Sequence, residues 1–334
     1  MTGAGVAAPR THARAGVSGE ADARLAERLA ALRPLLGRLN DLKRIRTAAV
    51  PGRSLAQRRF ARAWRDLAAG ALPGHVAERE AAAALVALGL GGIDAASLRR
   101  GGLDEARIHA VLRAALAKAG APATAATRAR LEAALPALVA EADDAIEAAG
   151  SPATPAFVRA LQDQPRAGAT HPTEPRLMLE PPESHADHCW AVAAIAALLA
   201  IETRADPGAP LLAALAHHLH NAVLPDGGFA GEALLGDALA PLVARLADQA
   251  LDALPAVLAQ RAREALALLP APDSPEAMAF HAADVIDRVA EAAHFDRVAR
   301  YRLSEALDTL GLVHPGPLKA FQDRVLAASG LVAP

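Results

Sequence analysis

Histidine is spread unevenly along the 334-residue chain: His12, His75 and His109 are scattered through the first half, and nine more follow Thr170. Three short stretches bring these histidines together with carboxylates. Pro182-Glu183-Ser184-His185-Ala186-Asp187-His188-Cys189-Trp190 leads into an apolar run. A second stretch from Ala214 carries His217, His218, His220 and Asn221 and ends at Asp226, and a third, Phe280 to Arg288, carries His281, Asp284 and Asp287. Imidazoles and carboxylates on separate helices of a bundle can meet in the core and hold a divalent cation. A buried cluster of that kind needs a cation or hydrogen bonds to be tolerated. His281 and Asp284, at i and i+3, share a helix face, whereas the adjacent His217 and His218 project about 100° apart on a helix. Asp287 beside Arg288 reads as a solvated or salt-bridged pair, and a lone histidine on an apolar helix is commonly packing material. Spacing alone leaves metal binding and packing both open.

Taken in order, the three stretches resemble the HD superfamily of metal-dependent phosphohydrolases, in the helical-bundle branch that includes the 5′-deoxynucleotidases. That family has a Pro-Glu-Ser-x-Ala-Glu-His-Ser-Trp-like entry, a His-Asp doublet followed by a glutamate and an aspartate, and an Ala-Asp-x-Leu-Asp-like third block. The resemblance covers roughly residues 178–295. It implies that His188, His217 and Asp284 hold a metal, with His218 as an atypical ligand and Asp226 orienting water or substrate as the catalytic carboxylate. The cofactor implied is a divalent transition metal (Zn, Fe, Co, Ni or Mn), and the substrate a small-molecule phosphate ester of nucleotide-like kind.

Two departures bear on that expectation. His218 stands where the doublet has aspartate, and Asn221 stands where the catalytic glutamate follows. An imidazole supplies one nitrogen and no charge, which favours borderline ions. Asn221 cannot take a proton from water, leaving His220, Asp226, Glu232 or Glu183 as substitutes. The alternatives are therefore a catalytically inactive HD-fold binding or regulatory module, and an HD-type di-iron oxygenase using His185, His220 and His281; loss of the doublet's bridging aspartate argues against the latter.

Other features carry less chemistry. Leu90-Gly91-Gly92-Ile93-Asp94 follows a helical pattern rather than a strand, so it reads as a turn between helices and not a phosphate loop. Cys189 opens an apolar run and reads as a packing residue. The basic stretch from Arg44 to Arg65, interleaved with Phe60 and Trp64, reads as a solvated helix face or as a phosphate or partner surface. Residues 53–63 align with 183–193 at an offset of 130, with Arg58 at the position of His188, as a degenerate duplication would leave them.

The elements that must position these residues are helices. Apolar positions recur at helical spacing, alternating β-branched or aromatic runs are missing, and aromatic residues make up 3% of the chain, so the fold class is all-α: an HD-like helical bundle with an additional helical N-terminal region. Helices are expected near 20–40, 54–70, 77–89, 104–120, 124–149, 151–162, 184–202, 209–222, 232–252, 254–269, 274–294, 298–311 and 316–329, with Pro34 and Pro136 kinking or splitting theirs. The proline- and glycine-rich stretch 163–182 is the best boundary. It divides a disordered lead-in (1–19) and a helical N-terminal region (20–165) from an HD-like domain (166–334). With 53% hydrophobic residues the chain can bury a large core, and a net charge of −2 provides no global field for nucleic acid or anionic lipid. One cysteine excludes an internal disulfide and fits a reducing, cytoplasmic compartment. No membrane span is expected, and a homo-oligomer is compatible with everything above.

Overall fold

The computed structural model describes residues 11–48, 50–141, 154–168, 180–299 and 319. Among these the regular elements are α-helices and 3₁₀ turns, with no β-strand and two isolated antiparallel bridges. In chain order the helices are α1 (Thr11–Leu39), α2 (Leu55–Ala68), α3 (Pro73–Leu90), α4 (Ala95–Arg100), α5 (Glu105–Ala119), α6 (Ala125–Glu132), α7 (Leu135–Val139), α8 (Ala156–Asp163), α9 (His185–Thr203), α10 (Gly208–Ala216), α11 (Gly228–Leu235), α12 (Leu239–Asp252), α13 (Ala256–Leu266) and α14 (Pro275–Ala299). The described residues up to Ala290 belong to one compact unit, which holds every contact discussed below, and those from Glu291 on belong to a second. The 165/166 boundary therefore falls inside a single compact unit.

Several expectations are refined by packing. The lead-in is helical from Thr11. Residues 1–10 and most of the helices expected at 298–311 and 316–329 lie outside the described residues, as does 142–149 of the helix expected at 124–149. Helix α1 runs through Pro34 without a break, because Leu32, Leu35, Leu36 and Leu39 are buried on both sides of the proline and hold the helix to the core. The helix expected around Pro136 is split into α6 and α7. Gly236, at φ +52°, breaks the one expected at 232–252.

Helix α9 is the axis of the unit, with α1, α2, α3, α8 and α10 packed around it. Every residue from His185 to Glu202 is buried, which explains why so continuous an apolar run can be helical without being amphipathic. It is long and apolar enough to cross a membrane, but 94% of its apolar window is buried inside the protein. Helix α10 continues the layer, packing on α9, α3 and α13.

The same local device opens α2 and α9. Ser54 caps α2 in a box with Gln57, and Ser184 caps α9 in a box with Asp187. An isolated bridge precedes each cap, Arg46 to Ser54 and Pro165 to Ser184. The two boxes also bond to one another: the Ser54 hydroxyl donates to Asp187, and Gln57 Nε2 donates to Ser184 Oγ at 2.9 Å. The 130-residue offset seen in the sequence thus joins two structurally alike helix starts that touch.

The basic stretch is neither a solvated face nor an open anion surface in this fold. Arg58, Arg59 and Arg62 are buried, and Arg59 clasps Glu80 with two hydrogen bonds of 2.8 and 2.7 Å while reaching Glu141 at 2.6 Å. Burial pushes the Glu80 carboxyl up, but Arg59 and Arg79 outweigh it and hold it down at about 2. Trp190 Nε1 of α9 donates to the same carboxylate at 2.9 Å, so the stretch binds the N-terminal helices to the central one.

Candidate metal centre

The Ser184 cap fixes where α9 begins, and that start places His185 and His188 one turn apart on a helix that is buried all round. His188 is completely buried. Across from it, α10 stops at Ala216 and the backbone turns at His218 (φ −111°, ψ 19°) into a short 3₁₀ turn over Leu219–Ala222. This break removes the 100° separation expected of neighbours on a continuous helix. His217 and His218 consequently converge on His188, and one nitrogen from each of the three imidazoles lies within 4.8 Å of the others.

Each of the three rings has one nitrogen committed to a group that can only accept a hydrogen bond. His188 Nδ1 lies 2.8 Å from Asp287 Oδ2, His217 Nδ1 lies 2.7 Å from the Ala214 carbonyl, and His218 Nδ1 lies 2.9 Å from Asn221 Oδ1. The orientation of Asn221 is itself fixed, since its Nδ2 donates to the Leu224 carbonyl at 3.0 Å. Each ring is thereby oriented through Nδ1, which leaves its Nε2 as the nitrogen free of those three acceptors. Nε2 of His188 and Nε2 of His217 face one another at 3.2 Å. Two lone pairs opposed at that distance repel unless a proton or a cation lies between them. Two nitrogens bound to one tetrahedral zinc-like ion are separated by about 3.3 Å, given Zn–N bonds of about 2.0–2.1 Å, so the observed spacing fits a cation.

Asp284 lies at the edge of this group, against His188, and is not among the residues whose ligand atoms all fall within 4.8 Å of one another. Its Oδ1 is 3.3 Å from His188 Nε2, and its other oxygen accepts from Arg288 at 2.9 Å. Burial pushes the Asp284 carboxyl up, but the adjoining His188 and His217 rings and the Arg288 guanidinium outweigh it and leave it at about 2. Burial, and then the neighbouring His188, push His217 down to about 3; burial and the other two imidazoles push His218 down as well. Neutral imidazoles beside an ionised carboxylate are what a divalent transition ion requires of its ligands.

Asp287 differs from its expected role. It is fully buried and is not the partner of Arg288, which turns instead to Asp284. At i+3 from Asp284 it shares the inward face of α14, where it meets His188 and Lys43, the latter at 2.6 Å. Lys43 also contacts Glu183. A second grouping, of Glu183, His188 and Asp287, is close enough to hold a metal, but the Lys43 ammonium already lies against both of its carboxylates. Glu183 is further engaged by Arg166 at 3.3 Å and is not available as a base.

The remaining candidates lie around this core. Asp226 is held by two backbone N–H donors, Ala167 at 2.9 Å and Gly228 at 2.8 Å, and approaches His185 Nε2 at 3.8 Å. His185 is fully buried, neither ring nitrogen has a hydrogen-bond partner, and burial together with the Arg166 charge pushes it down to about 3. His220 lies 5.8 Å from His218 between ring centres. His281 turns away and faces the Leu268 carbonyl at 3.2 Å, and Glu232 is exposed on α11. Cys189 is completely buried and burial pushes its thiol up, which suits packing and not attack. Lys43 and Asn40, whose Nδ2 lies 3.3 Å from Asp287 Oδ1, were not foreseen from sequence; their only signal is spatial. Comparison of the chain with family models, with curated proteins and with solved structures gave no match.

Proposed function

We propose that the chain is a divergent metal-dependent phosphohydrolase acting on a small phosphate ester of nucleotide-like kind, with His188, His217, His218 and Asp284 as the metal ligands. The observation that carries this reading is the 3.2 Å approach of Nε2 of His188 to Nε2 of His217, with the Asp284 carboxylate beside them. A divalent cation bound there supplies a Lewis acid for a phosphoryl oxygen. The chain's own residues do the rest. Arg166, whose guanidinium is held protonated by Glu183, Asp287 and Asp226 against the cost of burial, places positive charge beside the imidazoles, where a phosphate would approach. Asp226, fixed by two backbone donors, faces His185 across a 3.8 Å gap that a single oxygen atom would bridge with a hydrogen bond to each side.

One observation favours a second reading, a binding module without turnover. Asn221 uses both ends of its amide, on His218 and on Leu224, so no base stands at the position where the resembled family has one. The experiment that separates these readings is elemental analysis of the purified chain beside His188→Ala, His217→Ala and Asp284→Ala, followed by phosphate-release assays on nucleoside monophosphates. Stoichiometric metal lost in all three variants, with release only by the parent, supports the hydrolase; metal without release supports the binding module. Metal absent from the parent, or equal in every variant, overturns the centre itself.

A further inference from the structure

We propose that Lys43, which comes from the N-terminal helices, is the positioning residue of the imidazole centre: it holds Asp287 in place, and Asp287 sets the His188 tautomer that leaves Nε2 bare. This rests on the reading of His188 as a ligand. Lys43 sits in the 3₁₀ turn Asn40–Arg44 at the end of α1, and its side chain is 3% exposed. Its ammonium lies 2.6 Å from Asp287 Oδ2, the same oxygen that accepts from His188 Nδ1 at 2.8 Å. Asn40, three residues earlier, reaches the other Asp287 oxygen at 3.3 Å. One turn of chain therefore supplies two of the three side-chain groups that hold this carboxylate.

The chemistry makes Lys43 the decisive one. Glu183 and Asp287 both touch the ammonium; without it Glu183 still has Arg166 at 3.3 Å, whereas Asp287 is left with His188 and Asn40 and no cation in contact. A buried carboxylate without a cation in contact is costly, and Asp287 would rotate away from its place against His188. His188 then loses the partner that orients its ring at Nδ1, and its proton is free to move to Nε2 opposite His217. A carboxylate behind a metal-bound histidine is a known way of fixing ring orientation and tautomer, and loss of such a partner typically costs 10–100-fold in metal affinity. Here the charge that fixes the carboxylate comes from a residue 244 positions away in sequence. The N-terminal helices thereby acquire a role in the centre as well as in packing.

The test uses the full chain, with Co²⁺ as the probe metal and His188→Ala as the reference for assigning the His188 ring. In the metal-free protein, long-range ¹⁵N–¹H spectra of the parent should show His188 protonated at Nδ1, and Lys43→Met should show the proton redistributed to Nε2. Lys43→Met should also weaken Co²⁺ binding by about tenfold or more and alter its visible absorption, while Lys43→Arg, which keeps a cation against Asp287, should recover most of the affinity. If Lys43→Met does not fold, Lys43→Met combined with Glu183→Gln removes the neighbouring carboxylate too and carries the same comparison. An unchanged His188 tautomer and unchanged Co²⁺ affinity, with only the melting temperature lowered, would make Lys43 a structural ion pair and overturn the proposal while leaving the centre intact. A parent that binds no Co²⁺ overturns the metal reading and the proposal with it.

Discussion

Asn221 Oδ1 accepts from His218 Nδ1 at 2.9 Å, so the two residues that depart from the resembled pattern are bonded to each other. In the sequence they look like two separate losses, an aspartate ligand and a glutamate base. In the fold they form one unit: the Asn221 amide oxygen holds the His218 ring by Nδ1 within the group of three imidazoles.

That coupling predicts the behaviour of Asn221→Ala. With its Nδ1 partner gone, His218 is free to rotate or change tautomer, and the dissociation constant for Zn²⁺ should rise by about tenfold or more. Calorimetric titration of parent and variant checks this; equal constants would remove Asn221 from the centre.

Metal binding should also appear as stability. A ligand that binds only the folded chain adds about 2.7 kcal/mol at a hundred times its dissociation constant. Denaturant unfolding of chelated protein, with and without Zn²⁺, should show that gain in the parent and none in His188→Ala. A gain of the same size in the variant would place the ion elsewhere.

The chelated protein should lose stability on acidification in two steps. His217 and His185 are held near 3 in the folded chain against an ordinary 6.5. Between those values the unfolded chain binds protons that the folded chain does not, so stability is complete above about pH 6.5 and falls as pH drops toward 3. Asp284, near 2 when folded against an ordinary 3.8, has its contribution intact above its unfolded value and loses it as pH falls through the folded one. Unfolding midpoints at pH 7.5, 6, 5 and 4 should decrease in order. A flat series above pH 4 would mean that these imidazoles are not buried as neutral groups.

The crossed capping boxes predict non-additivity. Gln57→Ala and Ser184→Ala each disturb a capping box, typically worth about 1 kcal/mol, and each breaks the same bond between the boxes, from Gln57 Nε2 to Ser184 Oγ. The double variant should therefore cost less than the two single variants together, by about 0.5 kcal/mol or more. Simple additivity would show that this cross-bond carries no energy.

What could be read in advance follows from range in sequence. The caps at Ser54, Asp104 and Ser274 and the turn at Gly91 are local signals, and the helices they bound are present. His188, His217, His218 and Asp284 stood out because each lies in a block rich in chemistry-bearing residues. The convergence of His217 and His218 was hidden because periodicity assumes an unbroken helix, and the chain breaks it at Ala216. Asp287 was obscured by its neighbour Arg288, which offers a surface pair that the fold does not make. Lys43 had no local sign at all: it joins the site only because the fold sets its ammonium against Glu183 and Asp287, residues distant in sequence.

The complete enclosure of α9 bears on how this protein can evolve. Ala193, Ala196, Ala197 and Ala200 are all 0% exposed, so a larger side chain at any of them must displace a neighbouring helix, typically at about 1–3 kcal/mol. The helix that carries His188 has almost no position open to neutral drift. Divergence in this lineage should accumulate in the outer helices α11 and α12, and substitutions within α9 should come only with compensating changes in the helices that surround it.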